Sequence, residues 1–269
     1  MYLMPTHFGP SVSPRQGPDG SRFTYVDAPK NYAIYVNFLS KQEQLAALLP
    51  PGFEVEGEPV VTVSLTYMKE LPWLAGRGYA MLGVTFPATY YGQQETVTGD
   101  FMAILWENMA EPIITGREEL GFSKVYCELP DPVTYAGTTR CIATWQGFKF
   151  LDVEVSNTRQ PSQEEMAALA TARRGEGLLH YKYIPKTGAW GTPDVAYATL
   201  TPMSASKQKP TSVKLGEGRI QFHPTRWEDM PTQYMIVNAF HALEIVEYRG
   251  AMIVESIGGM EGREQRILH

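Results

Sequence analysis

Residues 139–155, TRCIATWQGFKFLDVEV, decide the fold class: β-branched and aromatic residues fill the run, and Gly147 punctuates it. Such residues suit a pleated, half-buried surface, and several neighbouring stretches alternate with period two. Upstream stand NYAIYVNF (31–38), PVVTVSLTYM (59–68), GYAMLGVTF (78–86) and TGDFMAILWEN (98–108). Downstream stand LLHYKYIP (178–185), VAYATLTP (195–202), GRIQFHP (218–224) and EIVEYRGAMIVES (244–256), again separated by Gly, Pro and Asn. Helices are few and short. Two Ser-x-x-Glu capping boxes, Ser40 with Glu43 and Ser162 with Glu165, precede the helix-favouring QLAALL and EMAALATARR.

No strand-helix alternation and no internal repeat is visible, so the chain reads as mainly β, with antiparallel strands. A closed barrel, which removes sheet edges, is the economical architecture. Residues 1–30, rich in Pro and Gly, read as an irregular N-terminal arm. Residues 31–257 form a single domain and 258–269 a C-terminal tail.

Composition bounds the function. A formal net charge of −6 with scattered Lys and Arg argues against nucleic acid as a partner. The N-terminus lacks a basic segment leading into an apolar one, and no run of about 18 apolar residues occurs, so no membrane association is expected and the protein reads as cytoplasmic. Cys127 and Cys141 are the two cysteines and imply no disulfide framework. His7, His180, His223, His241 and His269 stand in no metal-binding spacing, so neither a metal nor a cofactor is expected. Ser64, Ser123 and Ser204 lack a nucleophile-elbow context.

Lys124 is different in kind. It follows EPIITGREELGFS (111–123), where Gly116 and Gly121 break the chain around a short helical turn, and it precedes VYCEL, which has the look of a buried strand. Local pattern leaves two readings open: a snorkelling surface lysine, or an amine pointing into an interior cavity.

The stretch EPIITGREELGFSK resembles the signature of the acetoacetate decarboxylase family, in which a lysine eight residues after the motif glycine forms a Schiff base; here the spacing runs from Gly116 to Lys124. EQLAALLPPGFEVEGEPVVTV and GEGRIQFHPTRWEDMPTQYMI are similar to further parts of that family, so roughly residues 30–255 are covered. The resemblance implies a cone-like, closed antiparallel β-barrel with peripheral helices, assembled as a homo-oligomer. It also implies a lyase acting on a small oxo acid without a cofactor, by β-oxo acid decarboxylation or related imine and enamine chemistry. An aldolase-dehydratase or cyclase would use the same lysine, and a non-catalytic small-molecule-binding protein would share the fold.

A lysine of ordinary pKa, about 10.4, is almost wholly protonated at neutrality, so the site must lower it. Val125 occupies the place of the second lysine found in the best-known family members, which leaves desolvation by Phe122, Val125 itself and the strand residues Met81, Phe101 and Met102 as the expected cause. The resemblance further implies substrate contacts from Arg117 and Glu118, with Ser64 and the Met81–Leu82 region at positions where typical members carry glutamates, and with Pro29 or Lys30 near an expected arginine, Lys30 standing in as a carboxylate binder. Because these positions hold so little of the usual polar complement, weak turnover of acetoacetate itself is expected. Tyr248 is either a proton donor or a core tyrosine anchored through its hydroxyl.

Overall fold

The computed structural model describes residues 15–171, 175–260 and 262–269. The strands in chain order are β1 (Lys30–Leu39), β2 (Phe53–Val55), β3 (Val60–Lys69), β4 (Tyr79–Tyr91), β5 (Thr96–Glu107), β6 (Lys124–Tyr126), β7 (Val133–Tyr135), β8 (Thr138–Trp145), β9 (Phe148–Arg159), β10 (Gly177–Pro185), β11 (Pro193–Pro202), β12 (Lys209–Phe222), β13 (Glu247–Ile257) and β14 (Arg266–Ile267). Four α-helices accompany them among the described residues: α1 (Gln42–Ala46), α2 (Ala110–Thr115), α3 (Gln163–Thr171) and α4 (Tyr234–His241).

All the strands join one sheet in the order β14-β11-β10-β5-β4-β3-β1-β13-β12-β9-β8-β7, with β2 on β4 and β6 on β5. The mainly β expectation holds. The closed antiparallel barrel needs correction on two points: the strand path ends at β14 and β7 rather than closing, and both β6 and β10 run parallel to β5. The sheet nevertheless curls, since Trp106 of β5 stacks against Phe222 of β12 and Phe240 of α4.

The two faces of the sheet differ because directly paired residues point to the same side. Ile34, Leu65, Leu82 and Trp106 pair in one row across β1, β3, β4 and β5, and all are fully buried. This is the core face. The next row, Tyr35, Ser64, Gly83, Leu105 and Lys124, faces the other way. That row carries the site.

Ser162 and Glu165 form the expected reciprocal cap of α3, with bonds of 2.8 and 3.1 Å. The other box is not made. Ser40 closes β1 through a backbone bond to Pro59, and α1 starts with Lys41 as an N-cap that makes no side-chain bond. The first 14 residues of the expected arm lie outside the described residues. The C-terminal stretch is built into the sheet: β14 pairs with β11, and Leu268 is buried.

Candidate active site

Lys124 is the first residue of β6, and only 4% of its surface is exposed. Its approach explains the motif before it. α2 passes into a π-helical turn, Gly116–Leu120, which the chain leaves through Gly121 in a left-handed conformation. The lysine side chain then runs back across the Gly116 backbone. A Cβ at residue 116 would lie 2.5–2.7 Å from Lys124 Cδ, Cε and Nζ, so only glycine leaves room for the amine. Extra backbone per turn is a common device at functional sites.

The amine donates to the Pro112 carbonyl at 3.0 Å and forms an ion pair with Glu107 Oε1 at 2.9 Å. Glu107, at the end of β5, is fully buried, and neither of its oxygens makes a well-directed hydrogen bond among the described residues. The pair is therefore close in distance but off the hydrogen-bond direction. Burial pushes the lysine pKa down, and the Glu107 charge only partly opposes it. Burial likewise pushes Glu107 up against the opposing charge of Lys124. Burial therefore shifts both groups in the direction of their neutral forms, a free amine and a carboxylic acid.

Three further side chains converge here. Phe122 places its ring 5.1 Å from Nζ. Arg15 lies near enough for its charge to act on both Lys124 and Glu107, and its guanidinium sits over Trp73 at 5.5 Å. Tyr79 packs edge-on against the same Trp73, and burial, then the Glu107 charge, hold its hydroxyl well above the usual tyrosine range. It stays protonated.

Of the residues expected from sequence, the structure brings Lys124, Phe122, Ser64 and Met81 to one face. Ser64 shares the row of Lys124, and Met81 pairs directly with Glu107. Arg117 acts through the backbone, donating to the Lys124 carbonyl at 2.9 Å, so it positions the strand rather than facing the amine. Glu118 is half-buried on the π-helical turn, and among the described residues the Lys124 amine bonds to Pro112 and pairs with Glu107 rather than with it.

Three expectations need correction. Phe101 points into the core between Phe53 and Phe86. It cannot line the same wall as Met102, because successive strand residues face opposite ways. Lys30 is exposed, paired with Glu70 at 2.7 Å, and borders a separate cavity of about 420 Å³ with Tyr32, Tyr67 and Glu255. Tyr248 pairs with Phe38 on the core side and spends its hydroxyl on the Ile220 peptide, accepting from the nitrogen and donating to the oxygen at 3.2 Å each. That is the anchored tyrosine.

Sequence reasoning missed Glu107, Arg15 and Tyr79. The polar complement expected to be lacking is thus present from other positions: the carboxylate stands opposite Met81 across β4 and β5, and the cation comes from the arm. This removes the reason given for expecting weak turnover of acetoacetate.

The sequence model described as acetoacetate decarboxylase (ADC) matches residues 3–258. No curated protein matches the sequence. Among solved structures, the chain is similar to an acetoacetate decarboxylase from Legionella pneumophila subsp. pneumophila str. Philadelphia 1, with 18% identity, a TM-score of 0.65, and 94% of this chain and 92% of that one covered. It is also similar to the enduracididine biosynthesis enzyme MppR complexed with pyruvate, at 18% identity and TM-score 0.63, covering 97% and 98%. An acetoacetate decarboxylase-like enzyme from Sphingomonas wittichii RW1 gives 16% identity and TM-score 0.61, covering 97% and 100%.

Proposed function

The chain belongs to the acetoacetate decarboxylase family, and from that premise we propose that it is a Schiff-base lyase in which Lys124 forms an imine with a small oxo acid. The single observation that carries this reading is a lysine buried to 4% exposure beside a fully buried carboxylate, an environment that favours the free amine. A neutral amine is the nucleophile that carbonyl chemistry needs, and withdrawal of a lysine from water or the approach of a second cation is the recognised way to obtain one, acetoacetate decarboxylase itself being the standard case.

Each residue then has a task. Glu107 takes the proton of the ammonium, and Nζ attacks the carbonyl carbon of the oxo acid. The carbinolamine loses its hydroxyl as water when Glu107 returns the proton. The resulting iminium draws the electron pair of a breaking carbon–carbon bond into an enamine. Where that bond holds a carboxylate, carbon dioxide leaves. Tyr79 gives a proton to the enamine carbon and regains one released when water hydrolyses the imine, and the Arg15 guanidinium attracts the substrate carboxylate. Hydrolysis of the imine restores Lys124. The same reading carries homo-oligomeric assembly with it as a further proposal. Among the described residues, no helix is long and apolar enough to cross a membrane.

The test is reductive trapping. Borohydride with pyruvate or acetoacetate is expected to leave a covalent mass increment that maps to Lys124. An increment on Lys30 or another lysine, or none with a panel of oxo acids, contradicts the assignment.

A further inference from the structure

β5 lends its outer edge to two parallel strands. β10 pairs with it at Asp100 and Phe101, and β6 joins it at Leu105 through Lys124. Between those pairings, Met102 to Ile104 form a gap in the edge, and Lys124 and His180 flank it. Leu179 pairs with the core-facing Phe101, so His180, the next residue, points to the face that carries Lys124. His180 is fully buried, and its ring lies 4.0 Å from the Phe122 ring that in turn neighbours the amine.

A hydrogen-bond chain fixes the tautomer of this histidine. Gln265 Nε2 donates to the Leu120 carbonyl at 2.8 Å and to Thr199 Oγ1 at 3.0 Å, and Thr199 Oγ1 donates to the same carbonyl at 3.1 Å. A carbonyl only accepts, so the amide nitrogen of Gln265 must face it, and Gln265 Oε1 is left as an acceptor. The Thr201 hydroxyl gives its single proton to that oxygen. His180 Nε2, 2.9 Å from Thr201 Oγ1, must therefore carry the ring proton and donate it. Nδ1 is left as a bare lone pair, buried and without a partner among the described residues. Burial, then the Lys124 charge, pull the His180 pKa down to about 3, so the ring stays neutral at ordinary pH. A buried acceptor left unmatched is costly and calls for a reason.

We propose that His180 Nδ1 is a specificity site that accepts a hydrogen bond from a hydroxyl of the bound substrate, making the preferred substrates hydroxylated oxo acids rather than plain ones. The inference rests on the imine reading, with Lys124 holding the oxo carbon across the edge gap while His180 reads the hydroxyl further along the chain. A site built around a substrate hydroxyl discriminates against the analogue lacking it, because the acceptor is then left unpaired.

The experiment compares 4-hydroxy-2-oxobutanoate with 2-oxobutanoate, measuring the concentration of each that gives half-maximal borohydride trapping on Lys124. The wild-type protein is expected to need at least tenfold less of the hydroxylated acid. His180→Gln keeps a donor toward Thr201 but presents nothing at the Nδ1 position, and its ratio is expected to fall toward one while 2-oxobutanoate trapping persists. His180→Asn offers an amide oxygen near the Nδ1 position and is expected to recover part of the preference. Structural damage alone would weaken both acids together and leave the ratio standing. Equal trapping of the two acids by the wild type, or a preference that survives in His180→Gln, overturns this inference alone. Absence of any adduct in the wild type overturns the imine reading and this inference with it.

Discussion

Two lysine–carboxylate pairs in this protein have nearly the same separation and opposite electrostatic outcomes. Lys124 and Glu107 lie 2.9 Å apart with side chains 5% and 0% exposed, whereas Lys149 and Asp152 lie 2.7 Å apart with side chains 45% and 39% exposed. Burial is the leading influence on both carboxyls. At Asp152 it is modest, and hydrogen bonds from Lys149 and His223 outweigh it, leaving the carboxyl below its usual range. At Glu107 burial wins over the lysine, and the carboxyl is raised. Proximity of opposite charges therefore does not decide which way the carboxyl shifts. Removal of water does.

The largest expected effect breaks the buried pair. Lys124→Ala should reduce imine trapping to background, while Lys149→Ala leaves it unchanged. Because burial already raises the Glu107 carboxyl, which can take up a proton once the lysine is gone, the Lys124 variant should remain folded, with a loss of about 3 kcal/mol or less in denaturant titration. Unfolding of Lys124→Ala with Glu107 ionised would show that the pair is held mainly as two charges.

Next in size is the acid. Glu107→Gln removes both the proton acceptor and the charge that raises the lysine, so the amine should titrate lower still, yet trapping should slow by about 100-fold or more because carbinolamine dehydration loses its proton donor. Asp152→Asn, at a half-exposed pair, should change stability by less than about 1 kcal/mol and trapping not at all. Rapid-mixing trapping rates check both, and an unaffected rate in Glu107→Gln would assign the proton transfers elsewhere.

Gly116→Ala tests the path of the side chain. The added methyl would meet the lysine at 2.5–2.7 Å, so the amine must move, with trapping expected to fall at least tenfold and stability by about 1–3 kcal/mol. The same substitution at Gly147, where nothing lies within 4 Å but φ is +83°, should cost stability through backbone strain and leave trapping intact.

The last effect falls on stability rather than on trapping, and it is one of pH. His180 takes a proton at about pH 6.5 when unfolded and only near pH 3 when folded. The unfolded chain thus binds more protons across that window, so stability rises with pH there and acidification costs about 1.4 kcal/mol per unit. His180→Gln should flatten that slope. An unchanged slope would mean that the ring is charged in the folded protein.

Much of the fold was legible because strand alternation is a local property: TRCIATWQGFKFLDVEV does form two paired strands, β8 and β9. Lys124 was legible because its motif is contiguous, with Gly116 and the lysine eight residues apart. Glu107 was not, because it ends an apolar run that reads as ordinary strand, and its partner reaches it only through parallel pairing of β5 with β6. Arg15 sits in an arm with no periodicity to place it. Phe101 was misassigned because it was grouped with Met102, its strand neighbour, although the two alternate to opposite faces, Phe101 opposite the buried Phe86 and Met102 opposite Thr85. Barrel closure depends on long-range pairing at the sheet ends, to which local pattern is blind.

The most direct measurement is the titration of Lys124, followed through the NMR signal of its isotopically labelled side chain. Desolvation predicts that this amine loses its proton well below the ordinary lysine value of about 10.4, and lower still in Glu107→Gln. Titration of Lys124 near the ordinary lysine value would contradict activation by burial.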